Sequence, residues 1–133
     1  MSEQPSVGTA LPMTLTLLAC VFAGLGVLFV LAPAPAARFY GIDAGSPSGL
    51  FYVRAVGLRD LALAAYLLGL TVARQFRALS IVMFVTLVIP AGDILLLAVS
   101  GRAQPVHYLL HAASFLCFAG MAWWWVGRSA RPR

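Results

Sequence analysis

Apolar positions fill this chain in four long blocks, at about residues 10–32, 49–73, 78–99 and 105–126, with short polar breaks between them. An α-helix needs about 20 apolar residues to cross the roughly 30 Å hydrocarbon core of a bilayer, and each block meets that length. The breaks carry helix-ending chemistry. Pro33 and Pro35 follow the first block, an Arg-Gln-Phe-Arg run occupies 74–77, and a Ser-Gly-Arg-Ala-Gln run occupies 100–104. We therefore expect an all-α protein, an integral membrane four-helix bundle forming one unit over 1–133, with no connection long enough for a soluble domain. The first block exceeds the ~7–15 apolar residues of a signal-peptide core, and residues 1–8 lack its positive charge, so it is expected to stay as a span.

Composition agrees. Of 133 residues, 62% are hydrophobic and 10% charged, against about a quarter charged in a soluble domain. The formal charge of +5 comes from nine arginines and no lysine. They punctuate the apolar blocks instead of forming a patch, which fits lipid headgroups and topology and argues against nucleic acid. Four spans put both termini on one side, together with Arg74, Arg77, Arg128, Arg131 and Arg133. The opposite connections hold Arg38 and Arg102. The positive-inside rule then places both termini in the cytoplasm. Trp123, Trp124 and Trp125 form an aromatic belt at that face, and Phe39, Tyr40, Phe51, Tyr52 and Tyr108 lie near the other. Cys20 and Cys117 sit in apolar runs without paired spacing and read as packing residues.

Ionisable residues break the apolar pattern at few places. Arg54, Arg59 and Asp60 lie in the first half of the second block, Asp93 near the end of the third, and His107 and His111 at the start of the fourth. Alternating helix direction brings all of them to the non-cytoplasmic half. A central Arg or Asp costs about 2.5–3.5 kcal/mol to insert, so such groups persist where they pair or face a cavity. At about 100° per residue, Val53, Gly57, Asp60 and Ala64 share a face, and the small residues direct that face inward. Arg59 and Asp60, as neighbours, are expected to point apart and to seek partners on other helices. Two arrangements stand open: a closed network, with Arg54 or Arg59 on Asp93 and Asp60 on a histidine, or a pocket that meets a ligand. Pro90 lacks a backbone donor and should kink the third helix beside Asp93. Gly24, four residues after Cys20, offers close packing on the first helix.

Candidate roles follow from chemistry. Asp60, Asp93 and His111 are the acid–base candidates, because a histidine beside a carboxylate exchanges protons near neutrality. Arg54, Arg59, His107 and Tyr52 are the ligand-binding candidates. His107 and His111 have metal-ligand spacing, but they share one helix and lack an accompanying Glu, so we expect neither a metal nor another cofactor. The expected partners are the lipid bilayer, a lipophilic small molecule, and a second copy or another membrane protein.

The stretch FYVRAVGLRDLALAAYLLGL at 51–70, AGDILLL at 91–97 and the two histidines resemble a family of small four-span membrane proteins of unknown function in the DoxX-like group. The most specific part is Arg54-x-x-Gly57-x-Arg59-Asp60, and Asp93 matches a weaker second element. The resemblance runs from about residue 15 to 125 and implies a four-helix membrane bundle. Some DoxX-like proteins are associated with quinone-linked or oxidative-stress complexes, and distant four-span bundles include sterol isomerases. The isomerase-type histidine and glutamate pattern is missing here, since Glu3 is the only Glu. The resemblance thus leaves two expectations: acid–base processing of a lipophilic molecule, isomerase- or cyclase-like, or a non-catalytic subunit of a redox-associated complex.

Overall fold

The first helix, α1 (Ala10–Leu31), ends against Pro33, whose fixed φ and missing N–H suit the first turn of a new helix. That helix is α2 (Pro33–Tyr40), eight residues long, in a stretch that reads from sequence as a plain connection. Gly41 closes it in the left-handed conformation (φ 84°) and donates its N–H to the Ala37 and Arg38 carbonyls. α3 (Pro47–Val72) starts on Ser46, whose Oγ accepts from the Gly49 N–H at 3.1 Å. It ends in a turn where Arg74 takes φ 55° and the Gln75 N–H returns to the Leu70 carbonyl at 2.9 Å.

The third apolar block divides into α4 (Phe76–Thr86) and α5 (Val88–Ser100) at Leu87. Pro90 explains the break, because it has no N–H to offer the carbonyl of Thr86 four residues earlier. α6 (Pro105–Ser129) completes the fold. At its start the Gln104 N–H donates to His107 Nδ1 at 3.1 Å while the His107 N–H donates to the Gln104 carbonyl at 3.0 Å. His107 thus plays the part that Glu or Gln plays in a capping box.

This computed structural model describes residues 10–42, 44–101 and 103–129, and side chains over 11–42, 44–101 and 103–124. The expectations placed on Glu3, Arg102, Arg131, Arg133 and the Trp125 and Arg128 side chains lie outside them. Among the described residues there is no strand, and four helical segments are long and apolar enough to cross a membrane: Leu11–Leu31, Pro47–Val72, Phe76–Ser100 and Pro105–Trp124. By that criterion the chain is a multi-pass membrane protein.

α1 and α3 form the tightest pair. A Cβ on Gly57 would lie 2.7 Å from the Phe29 Cβ and 2.8 Å from the Gly26 carbonyl oxygen. Gly26 and Gly57 therefore set the approach, and Gly24, expected to do so, has nothing within 4 Å. α3 packs on α1, α2 and α4, and α5 packs on α4 and α6; the backbones of α3 and α5 make no close approach. Near the end where α1 begins, Leu11, Leu15, Ala19, Leu63, Leu67, Leu79, Met83, Phe118 and Ala122 make an apolar core. Near the α2 end, a smaller core joins Phe29, Ala36, Ala37 and Val53. Large apolar side chains such as Leu17, Phe84, Leu95 and Leu116 face outward, as lipid-facing surfaces do. Cys20 and Cys117 are exposed on this outer face, which corrects their reading as packing residues: an apolar environment is present on both sides of a spanning helix, so an apolar run does not tell inward from outward.

Candidate functional site

Four elements carry polar side chains to one place beneath the α2 end. Asp60, at the middle of α3 on the inward face with Val53, Gly57 and Ala64, is buried. The Arg59 guanidinium folds back onto it, with Nε and Nη2 both 3.3 Å from Asp60 Oδ1. This overturns the expectation that the two point apart. Their Cβ atoms do diverge, but an arginine side chain is long enough to turn, and in a low-dielectric interior the nearest opposite charge prevails.

Asp93, on α5, takes its partners from α2 and α6 and not from an arginine. Tyr40, the last residue of α2, donates its hydroxyl to Asp93 Oδ2 at 2.5 Å. His111 Nδ1 lies 3.5 Å from the same oxygen. Neither arginine is the hydrogen-bond partner of Asp93, and Asp60 is held by Arg59 instead of a histidine. The other imidazole nitrogen, His111 Nε2, stands 3.4 Å from the Tyr40 carbonyl oxygen. A carbonyl only accepts, so Nε2 carries a proton and Nδ1 is the nitrogen turned to the carboxylate. The Tyr40 and His111 rings meet edge to face at 4.3 Å, and Phe29 packs on Tyr40 at 5.1 Å in the same manner. Burial, and then the hydrogen bond to Asp93, raise the pKa of the Tyr40 phenol above its ordinary value; it remains a donor through the physiological range.

The cluster is not closed on itself. Tyr40, Arg59, Asp60, Asp93 and His111 line a cavity of about 50 Å³ together with Thr86, Ser114 and apolar side chains such as Phe22, Leu63 and Phe118. Tyr40, Arg59, Asp93 and His111 also line a cleft of about 470 Å³ with Gly41, Ile42, Val56, Leu96, Leu97 and Ser100. No group of three His, Cys, Asp or Glu side chains suited to a metal occurs among the described residues.

A profile of a domain of unknown function, DUF4267, matches residues 19–125, which span every member of this cluster. The chain belongs to the DUF4267 family. No curated protein and no solved structure matches it significantly.

Of the seven residues nominated from sequence in this DUF4267 protein, Arg59, Asp60, Asp93 and His111 are brought together and three are not. Arg54 is exposed and donates from Nε to the Val30 carbonyl at 3.3 Å, near the end of α1. His107 is occupied in starting α6, and its ring lies against Gly41. Tyr52 is 72% exposed, and its ring meets Phe51 at 6.4 Å. Sequence reasoning misses Tyr40 as a member of the site by assigning it to an aromatic belt. The signal is present: Pro33 at a helix start and Gly41 at its end frame eight residues, which is enough helix to turn Tyr40 back into the bundle. Thr86 is passed over as well, and it lines the cavity with Ser114, which shares a face of α6 with His111.

Proposed function

We propose that this protein binds a lipophilic small molecule inside the bilayer and exchanges a proton with it. Asp93 and His111 form the acid–base pair, Arg59 meets the polar part of the ligand, and Asp60 holds Arg59 in place. The observation that carries this reading is a set of ionisable side chains from three spanning helices, joined by Tyr40, around a cavity that shares Tyr40, Arg59, Asp93 and His111 with a cleft of ligand size. A purely structural network has no need of that space. The chemistry is available in the pair itself. With Nε2–H fixed on the Tyr40 carbonyl, His111 gains or loses its proton at Nδ1, beside Asp93. A proton taken by the carboxylate can pass to the imidazole and return, and Arg59 stabilises negative charge that develops on the ligand.

The arginine distribution supports both termini in the cytoplasm, which would place the cluster in the non-cytoplasmic half; activity of a reporter fused after residue 133 tests this. The test of function compares the wild-type chain with Asp93→Asn and His111→Gln, purified in mild detergent, extracted with organic solvent and assayed by mass spectrometry. We expect a lipophile retained by the wild type and reduced about ten-fold in both variants, with helicity unchanged, as loss of about 1.4 kcal/mol of binding requires. Identical extracts from all three remove the proposal. A stoichiometric membrane partner with no bound lipophile instead supports the other expectation, a non-catalytic subunit of the DoxX-like kind.

A further inference from the structure

The cleft and the cavity differ in size and chemistry, and together they define what they can receive. Arg59 stands at the middle of α3, far from either end of the helix, yet its side chain is 36% exposed. Arg59 lines the cleft together with Tyr40, Asp93 and His111, so the cleft reaches the polar cluster from outside the bundle. The cleft lies between α3 and α5, whose backbones make no close approach to each other. Val56 on α3 and Leu96 on α5 form its lips, Leu96 being 69% exposed, and Ile42 and Leu97 extend its apolar lining. A cleft of about 470 Å³ falls within the usual range for small-molecule sites, about 300–1,000 Å³.

The inner cavity sets the head of the ligand. At about 50 Å³ it is far smaller than the cleft and suits a compact head, since one water needs about 10–15 Å³ of such space. Its ionisable groups already face one another in pairs: Arg59 lies on Asp60, and His111 lies beside Asp93. An anionic head would gain Arg59 but face two carboxylates, and a cationic head would gain those carboxylates but face Arg59, so either charge meets a like charge. A hydroxyl or carbonyl oxygen meets donors and acceptors alike without an uncompensated charge.

We infer that the gap between α3 and α5 admits, sideways from the bilayer, a lipophile with a single uncharged hydroxyl or carbonyl head, which passes Tyr40 to reach Arg59, Asp93 and His111. This rests on the ligand-binding reading above and adds the route and the chemical class.

The test uses the full chain in phosphatidylcholine nanodiscs with three hexadecyl probes that share a mid-chain diazirine and differ in the head: alcohol, carboxylate and trimethylammonium. After irradiation, labelled positions are mapped by peptide mass spectrometry, with Leu17 on the outer face of α1 as the lipid-facing reference. The alcohol should label the cleft around Val56 and Leu96 about ten-fold more than either charged probe, the discrimination expected when a buried charge goes unmatched. Val56→Trp, which fills the cleft, should abolish that preference while labelling near Leu17 stays constant. Leu96→Trp, on the exposed lip, should do the same if Val56→Trp does not fold. Equal or greater cleft labelling by a charged probe overturns the uncharged-head assignment and leaves ligand binding intact. Labelling of the cleft no stronger than at Leu17 by any of the three overturns the ligand-binding reading as well.

Discussion

The two ends of the bundle are built on different principles. Toward the start of α1, the helices α1, α3, α4 and α6 meet through Leu15, Leu67, Leu79, Met83 and Phe118, an apolar core with few polar atoms. Toward α2, a smaller apolar core is joined by Tyr40, Arg59, Asp60, Asp93 and His111, each satisfied by one of the others. In water the first would dominate stability. In a bilayer the order changes, because lipid tails are as apolar as leucine and burying an apolar side chain against protein yields little hydrophobic gain. What lipid cannot supply is a hydrogen bond or a counter-charge. The polar end therefore fixes which helices sit together, and the apolar end contributes shape and dispersion. The same asymmetry puts any chemistry at the polar end.

The largest effect tests the contact that both ends depend on. Gly57 sits where α1 and α3 approach most closely, and any side chain there meets the Phe29 Cβ and the Gly26 carbonyl, both rigid. We expect Gly57→Leu to cost well over the ~1–3 kcal/mol typical of overpacking, since the obstruction is largely backbone. Size-exclusion profile and near-ultraviolet circular dichroism should show loss of the native bundle. Native-like behaviour of the Gly57→Leu variant would mean that α1 and α3 are not held at this distance.

The next two substitutions set the ends against each other. Asp60→Ala leaves the Arg59 guanidinium unpaired at mid-helix. Removing one partner of a buried pair costs about 3–5 kcal/mol, and the partial exposure of Arg59 reduces this to about 2–3 kcal/mol. Leu67→Ala, at a fully buried apolar position, leaves a hole at the other end. In a soluble core Leu→Ala costs about 2–5 kcal/mol, but the transfer part largely cancels when the separated helices remain in lipid, leaving about 1–2 kcal/mol. Unfolding of both variants in sodium dodecyl sulfate titrations measures the difference. If Leu67→Ala proves the more damaging, the apolar end governs stability and the contrast between the ends fails.

Helix existence is legible in the sequence, and helix neighbours are only partly so. Four apolar blocks of spanning length announce four spans because a bilayer demands that length. Asp60 reads as inward from its small neighbours Gly57 and Ala64, and it is buried. Pro90 signals a kink beside Asp93, and the break falls at Leu87. Partner choice is not legible. Backbone angles alone send Arg59 to another helix, because they leave out the reach of its side chain. His107 has the chemistry of a ligand contact, but the N-terminus of α6 takes it. α2 hides because eight residues, three of them from Pro33-Ala34-Pro35, look like a linker until Gly41 is recognised as a helix end. Tyr52 and Arg54 are close to Asp60 in sequence, whereas both are exposed in the fold. The missing information in each case is which group lies alongside, and four similar apolar helices do not encode that in their periodicity.

The smallest effect decides whether the polar end is specific or merely polar. Tyr40→Phe deletes one hydroxyl and keeps the ring contacts with Phe29 and His111. Hydrogen bonds between elements in membranes average about 0.6 kcal/mol and reach about 1.7, and a carboxylate acceptor places this one toward the upper part of that range. We expect a loss of about 1–1.5 kcal/mol, with a pH signature that a mere packing change would not give. The phenol pKa is raised in the fold, so the folded chain holds this proton where the unfolded chain has begun to release it. The stabilisation is then fully present below the ordinary tyrosine pKa of about 10 and declines as pH rises beyond it. The Tyr40→Phe variant should lack that alkaline decline relative to wild type. Parallel profiles, displaced by a constant amount, would mean that the Tyr40 hydroxyl is not bound to Asp93, and the link between α2 and α5 would then rest on ring packing alone.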